Sequence, residues 1–536
     1  MSSVVIGIIG GGPRALALLQ QYCLVEWNGQ LPTLHVFDAA EQIGSGSVYG
    51  AGQPEYLRMN IPVANLDMFV EGFRERYPER ALTYQQWCEW SGRCYEDVPA
   101  RITVGEYLNY AGKVIVDVLQ PVTQFHHHRD RVQTIRRYED DWLLQIGSED
   151  NQKTVQVNYL VMATGHEGWQ TLPEQDQVSH VYPCDKNLND KRIPSEAVVI
   201  MHGTGLTAVD ACIALTQGRG GQFTEHNQSY RYEASGQEPA YIYLHSNTRR
   251  LSLPKAQLPD DLEAQALALV HSAGRQIEAI KLYRDFSQSE FHRIEDLFFK
   301  TADQVAHLLT ETHCDSEEWL NDQWMTASFE RSVIIGRYIA RQQYRRCYDA
   351  ACAAAIGFTF RYLQGYINKI SNAGLFNAFD RIRYKRFTKR LEKIAFGPVV
   401  STMNKIYALV DAGIIMIKPP EQSDQREIRT VIAYLPKPHH FSSQSLFGQL
   451  LGQGAVSRDT ATQAIRVDQC GCALLANNSS DPTLGIFSRV TENWVTGNDS
   501  LLVIRDHSMR RFFENVLDFT RRPPVYAKNT YAEARR

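Results

Sequence analysis

Near the N-terminus a wholly apolar run, Val4-Val5-Ile6-Gly7-Ile8-Ile9, leads directly into Gly10-Gly11-Gly12-Pro13-Arg14-Ala15, and no other feature restricts the fold as much. A short run that is apolar on both faces suits a strand buried inside a parallel sheet. The spacing GxGxxA at its end has a physical reason at each place. The first glycine permits the tight turn, the second lets a pyrophosphate approach the backbone, and the alanine lets the following helix pack closely on the strand. The helix then offers free N–H groups and the positive end of its dipole to the phosphates. Gly10, Gly12, Pro13 and Ala15 are therefore candidate cofactor-binding residues. After a helical segment from Ala15 to Trp27, a second strand, Leu34-His35-Val36-Phe37-Asp38, ends on an acid. Asp38 is placed to accept a hydrogen bond from a ribose hydroxyl. It lies further from Gly10 than the usual ~20 residues, and the loop Asn28-Gly29-Gln30-Leu31-Pro32 takes up the excess.

The same grammar recurs once. The apolar strand Ala197–His202 runs into Gly203-Thr204-Gly205-Leu206-Thr207-Ala208, followed by a helix near Val209–Thr216 and a strand at Tyr241–His245. No Asp or Glu ends that strand. His245-Ser246-Asn247 stands there instead, followed by Arg249 and Arg250. A carboxylate at this place would hold a free 2′-hydroxyl, whereas an arginine accommodates a 2′-phosphate. The expectation is NADPH, with Gly203, Gly205, Thr207, Ala208, Arg249 and Arg250 as its candidate ligands. A third element, Ala163-Thr164-Gly165-His166, closes another apolar strand, Tyr159–Ala163.

A strand with GxGxxA, a strand ending in Ala-Thr-Gly, and a second GxGxxA together resemble the two-dinucleotide flavoproteins, which include flavin-containing and N-hydroxylating monooxygenases. More narrowly the chain resembles the bacterial FAD/NAD(P)-binding family. The supporting phrases are Ile43-Gly44-Ser45-Gly46, Arg58-Met59-Asn60-Ile61-Pro62, Arg101-Ile102-Thr103-Val104-Gly105-Glu106-Tyr107-Leu108 and Ala395-Phe396-Gly397-Pro398. The resemblance implies that the first glycine loop and Asp38 hold the ADP half of FAD. It implies that Gly44, Gly46 and Asn60 lie near the flavin or pyrophosphate, that Thr164 and Gly165 mark the crossing between the two dinucleotide units, and that the second loop holds the nicotinamide cofactor. In two places the sequence departs from the pattern. The Phe-x-Gly-x-x-x-His signature of such monooxygenases is represented only by His180 and Tyr182 within Glu174–Tyr182. The C-terminal Gly-Asp of many flavin reductases is replaced by Phe487-Ser488-Arg489-Val490-Thr491-Glu492-Asn493.

With 536 residues the chain is long enough for two or three domains. The expected division is 1–190 for the FAD-binding unit, 191–258 for the NAD(P)-binding unit, 259–395 for a helical insertion or cap, and 396–536 for a return to the two units. The insertion is predicted because no proline occurs between Pro259 and Pro398 and the stretch is rich in strong helix formers. The fold class is α/β.

A net charge of −4 gives no sign of a nucleic-acid or membrane partner, and the basic run from Arg381 to Lys393 suits a solvated helix face. Ten cysteines contain no CxxC pair, which argues against dithiol reductase chemistry. The N-terminus has no signal-peptide pattern, and a cytoplasmic location is expected. His126-His127-His128 has no partner at ligand spacing, so no metal is expected. His439-His440 is a loop pair that could lie near substrate, and no GxSxG elbow exists. The cofactors expected are FAD and NADPH, acting on a small-molecule substrate. No catalytic side chain stands out, because the cofactors carry such chemistry. Three functions remain open: an FAD and NAD(P)H oxidoreductase, including one that hydroxylates a small amine; a flavin dehydrogenase or oxidase that does not use NAD(P)H; and a non-catalytic sensor or scaffold.

Overall fold

The computed structural model describes residues 4–27, 29, 31–148, 150–166, 177–227, 229–280, 289–372, 374–416, 425–497, 501 and 508–520. Asn28 and Gln30 of the first connecting loop, and Glu174, Gln175 and Asp176 of the stretch compared with the monooxygenase signature, lie outside them. The chain forms two compact units. One comprises Met1–Gly52, Val63–Thr171 and Lys437–Arg536; the other comprises Gln53–Pro62 and Leu172–Pro436.

The first unit is built on a six-stranded sheet. Its strands are β1 (Val5–Ile9), β2 (Thr33–Phe37), β3 (Phe125–His128), β7 (Tyr159–Met162), β15 (Cys472–Leu474) and β16 (Ser480–Ile486), in the order β15-β16-β7-β1-β2-β3. All neighbours are parallel except β15 with β16. Ile6, Ile8, Leu160, Val161 and Met162 have no exposed surface, as expected of strands covered on both faces. The helix Pro13–Leu24 buries Ala15, Leu16, Ala17, Leu18 and Leu19. A separate antiparallel sheet, β4 (Val132–Tyr138), β5 (Asp141–Ile146) and β6 (Lys153–Val157), shows the period of two of a half-buried sheet: Trp142, Leu144 and Ile146 face inward.

The helix Arg101–Leu119 seats the loop after β2. A Cβ on Gly105 would lie 1.8 Å from the Tyr49 carbonyl oxygen, and one on Gly112 1.8 Å from that of Ile43. Only glycine lets this helix and that loop meet backbone to backbone.

The second unit holds a parallel five-stranded sheet: β8 (Val178–His180), β9 (Val198–His202), β12 (Tyr241–His245), β13 (Ile415–Met416) and β14 (Ile428–Ile432), in the order β13-β12-β9-β14-β8. A hairpin of β10 (Gln222–His226) and β11 (Ser229–Glu233) stands apart from it. Between β12 and β13, after a non-helical stretch that runs to Pro259, the described residues are mostly helical: Asp260–Ala279, His292–Thr310, Phe329–Ala340, Tyr348–Asn372, Ala378–Ala395 and Val400–Asp411 are the long helices. The run Ala350–Ala355 is buried, so small side chains let neighbouring helices close on Tyr348–Asn372. Phe298, Phe360 and Phe387 meet edge to face with centroids 5.0–6.1 Å apart, contacts worth roughly 0.5–1.5 kcal/mol each beyond their burial. Among the described residues no helix is long and apolar enough to cross a membrane.

Candidate functional site

The two glycine loops are built alike. Gly10 has φ +105°, and a Cβ there would lie 2.4 Å from the Ala163 carbonyl oxygen; Gly203 has φ +137°, and a Cβ there would lie 2.3 Å from that of Ala433. Each first glycine thus turns against the end of a neighbouring strand. Its N–H bonds the carbonyl at the end of the strand on the other side, Phe37 at 2.9 Å and His245 at 2.8 Å. Each second glycine is the N-cap of a helix, Gly12 of Pro13–Leu24 and Gly205 of Leu206–Leu215, with φ −79° and −97° and no side-chain cap. A Cβ on Gly12 would meet only Gly46 Cα, at 3.6 Å, and one on Gly205 would meet nothing within 4 Å. The fold requires Gly10 and Gly203. It does not require Gly12 or Gly205, whose open faces beside uncapped N–H groups fit a ligand's pyrophosphate. Ala15 and Ala208 are buried in the first turns of these helices, with N–H groups on the Gly12 and Gly205 carbonyls, and Thr207 is half-buried beside Ala208.

Around the first loop the structure gathers most of the residues singled out from the sequence. Asp38 Oδ2 accepts from the Gly11 N–H at 2.5 Å, and Oδ1 from Ala40 N–H at 2.8 Å. The Gly44 N–H donates to the Gly11 carbonyl at 2.7 Å, and Ser45 N–H to Asn109 Oδ1 at 2.9 Å. Gly46, at φ +57°, faces Gly12. Thr164 and Gly165 follow β7, and here the C-terminal segment returns. Ser488 Oγ lies 3.2 Å from Thr164 Oγ1 and donates to the Gly165 carbonyl at 2.9 Å. Ser488, read from the sequence only as part of a departure from the Gly-Asp pattern, is a contact of Thr164 and Gly165 that linear order could not reveal. Asn60 belongs to the second unit, where its carbonyl accepts from Lys255 Nζ.

The second loop is closed differently from the sequence expectation. Arg249 is exposed, at φ +49°. Arg250 is 5% exposed and turned into the helical core. One guanidinium N–H donates to the Trp324 carbonyl at 2.5 Å, and the group lies 5.1 Å over the Trp324 ring. The expectation that Arg250 reaches out to a phosphate is corrected on this ground. The cation at the loop is Lys393, at the end of helix Ala378–Ala395. Its Nζ donates to Thr204 Oγ1, between the two glycines, to Thr248 Oγ1 at 2.7 Å and to the Arg250 carbonyl at 2.7 Å. Burial, and then the charge of Arg250, push its pKa down to about 8. In the sequence Lys393 was one member of a basic helix face; nothing local marked it out.

Lys255 is another perturbed amine of this unit. Burial, then Arg361, lower it to about 7. Arg361 donates to the Ala256 and Ala395 carbonyls at 2.7 and 3.3 Å, and Gly397 stands where a Cβ would lie 1.7 Å from the Leu253 carbonyl oxygen. The Ala395–Pro398 phrase therefore clamps the Leu251–Leu258 segment. In the first unit His126 and His128 lie on one face of β3 with His35, whose Nδ1 is 2.7 Å from His128 Nε2. His127 points the other way, its Nε2 3.2 Å from the Asp38 carbonyl oxygen. Burial, and then His128 and His126, lower His35 to about 4. Among the described residues no group of three or more His, Cys, Asp or Glu could hold a metal ion.

Comparison with known proteins finds partial likenesses. The chain is 24% identical over 282 residues to an L-aspartate N-monooxygenase (nitrosuccinate-forming) of Streptomyces cremeus, covering 45% of this chain and 41% of that protein. It is 24% identical over 271 residues to a nitrosuccinic acid synthase of Aspergillus oryzae, covering 46% of this chain and 40% of that protein. It thus spans less than half the length of these relatives. The solved ornithine N-hydroxylase of Kutzneria sp. 744 superposes with a TM-score of 0.48 at 13% identity, over 96% of this chain and 100% of that one. Residues 7–167, which carry the first glycine loop, Asp38, Gly44–Gly46 and Thr164–Gly165, match the FAD-NAD(P)-binding family model.

Proposed function

We propose that this chain is an FAD-dependent, NADPH-consuming monooxygenase that hydroxylates the nitrogen of a small amine inside the cell. The observation that carries the reading is the pair of matched glycine loops, each with a second glycine that the fold leaves open. Gly10, Gly12, Pro13, Ala15, Asp38, Gly44, Gly46, Thr164 and Gly165 would hold FAD. Gly203, Gly205, Thr207 and Ala208 would hold NADPH, with Arg249 within reach on the loop after β12. Asn60, whose carbonyl accepts from Lys255 Nζ, would lie near the flavin or pyrophosphate. FAD and NADPH, when bound, would supply the hydride-transfer and oxygen-activating chemistry; the protein's share is binding, orientation and exclusion of water. The helix starts at Pro13 and Leu206 present N–H groups to the two pyrophosphates. Asp38 holds the first loop closed through Gly11 and Ala40 while its carboxylate takes the adenosine ribose. The curated relatives make L-aspartate the first amine to try.

The test is a visible spectrum of the purified protein, anaerobic NADPH addition, and then air with candidate amines. A yellow protein that bleaches with NADPH and yields an oxygenated amine supports the reading. A colourless protein, or a yellow one that NADPH leaves unbleached, overturns it. One observation favours a second reading, a flavin dehydrogenase or oxidase: the Phe and Gly of the monooxygenase signature are missing before His180. That reading predicts a yellow protein that NADPH leaves unbleached and a substrate oxidised with no oxygen in the product.

A further inference from the structure

We propose that Lys393, carried by the helical insertion, is the residue that reads the 2′-phosphate of NADPH. The inference rests on the NADPH reading above and names its specificity determinant. Three observations meet at this lysine.

The first is position. In a unit of this type the adenosine ribose lies at the end of the second strand, and the residues that follow that strand here are Ser246, Asn247 and Thr248. Lys393 Nζ bridges this loop and the glycine loop, through Thr248 Oγ1 at 2.7 Å and through Thr204 Oγ1.

The second is the donor set. Thr204 Oγ1 lies 3.2 Å from Ser246 Oγ, which lies 3.2 Å from Thr248 Oγ1. Three hydroxyls and an ammonium form one connected cluster. Each hydroxyl can rotate to donate, so the cluster can present several donors to one tetrahedral anion.

The third is charge. All three acceptors of the Lys393 ammonium are neutral: two hydroxyls and the Arg250 carbonyl. Arg250, whose charge acts on it, is itself bound by a carbonyl, a thioether and an indole ring. Among the described residues neither cation makes an ion pair with a carboxylate; Glu392 acts on Lys393 through space alone. Two cations drawn out of water side by side without a counter-ion are costly, and an anion entering beside Lys393 relieves that cost. The 2′-phosphate is the group that distinguishes NADPH from NADH at this place.

The experiment compares 2′,5′-ADP with 5′-AMP, which differ by that phosphate alone, by titration calorimetry on the full chain as purified. The natural protein should bind 2′,5′-ADP roughly 10- to 100-fold more tightly, the size of one or two charge-assisted contacts. Lys393→Met should bring the two within about threefold by weakening 2′,5′-ADP alone. A second measurement needs no variant. The preference of the natural protein should shrink as the pH rises from 7 to 10 and the ammonium, facing Arg250 and Glu392, loses its proton; a lysine that only braced two loops would not move it. A Lys393→Met protein that keeps the preference, a preference flat with pH, or equal binding of the two fragments by the natural protein overturns the assignment while leaving flavin reduction by NADPH standing. Binding of neither fragment, with a flavin that neither NADPH nor NADH reduces, overturns the assignment together with the function beneath it.

Discussion

The two glycine loops share a backbone design and differ in what closes them. In the first unit the closing group is Asp38, at the end of the strand that follows the loop's own helix, and both hydrogen bonds its carboxylate accepts come from residues near in the chain, Gly11 and Ala40. In the second unit the strand end carries no acid, and the closing group is Lys393, which reaches the loop from a helix far along the chain. The difference teaches where specificity resides. On the function proposed above, the fingerprint would hold a pyrophosphate, while the charge that closes the loop is free to come from anywhere the fold can bring it.

The comparison breaks most visibly at the first glycines. Gly10→Ala and Gly203→Ala each put a Cβ into a backbone carbonyl at a φ that only glycine adopts easily. Each should destabilise its unit by about 3 kcal/mol or more, among the larger effects of a single substitution. Urea or thermal unfolding measures it, and a loss below about 1 kcal/mol would show that the turn yields.

Next in size are the second glycines, which should separate the units by cofactor. Gly12→Ala and Gly205→Ala should leave apo stability within about 1 kcal/mol, since their Cβ atoms meet ordinary contact or open space. Gly12→Ala should lower flavin retention through gel filtration by roughly 10- to 100-fold in affinity. Gly205→Ala should keep the flavin and lose affinity for NADPH by a similar factor. If both variants lose the same cofactor, the assignment of one loop to each is wrong.

A third effect is confined to the second loop. The Lys393 ammonium is pushed from its ordinary 10.5 down to about 8. Between these values the unfolded chain holds more protons than the folded one, so stability rises with pH across this window, and the cost of burying the cation is fully present below pH 8. Lys393→Met should flatten that rise. Binding of 2′,5′-ADP near pH 8.5 should take up a fraction of a proton, read as a buffer-dependent heat. A pH-stability slope unchanged by Lys393→Met would assign the slope to other groups.

The smallest effect is expected at Asp38. Asp38→Asn keeps the shape but replaces a charge-assisted bond from Gly11 by a neutral one, costing about 1 kcal/mol and lowering flavin affinity about fivefold. A Lys393 variant that altered flavin affinity more than this one does would erase the distinction between the loops.

The sequence alone determined what depends on near neighbours. Two apolar strands running into GxGxxA specify their own turns and helix starts, because strand burial, positive φ and N-capping are decided within a dozen residues; Ala163-Thr164-Gly165 and the proline-free helical stretch are legible for the same reason. Tertiary structure alone decided what depends on residues distant in the chain. It turned Arg250 away from the loop and onto Trp324, and brought Lys393 to Thr204 and Thr248 in its stead. It set Ser488 against Thr164, packed Asn60 with Lys255, and set His35 against His126 and His128 across two strands. A side chain's direction at a strand end is set by which packed surface can take it. For Arg250 that surface is an indole ring and a carbonyl more than seventy residues away, and no local spacing encodes their position.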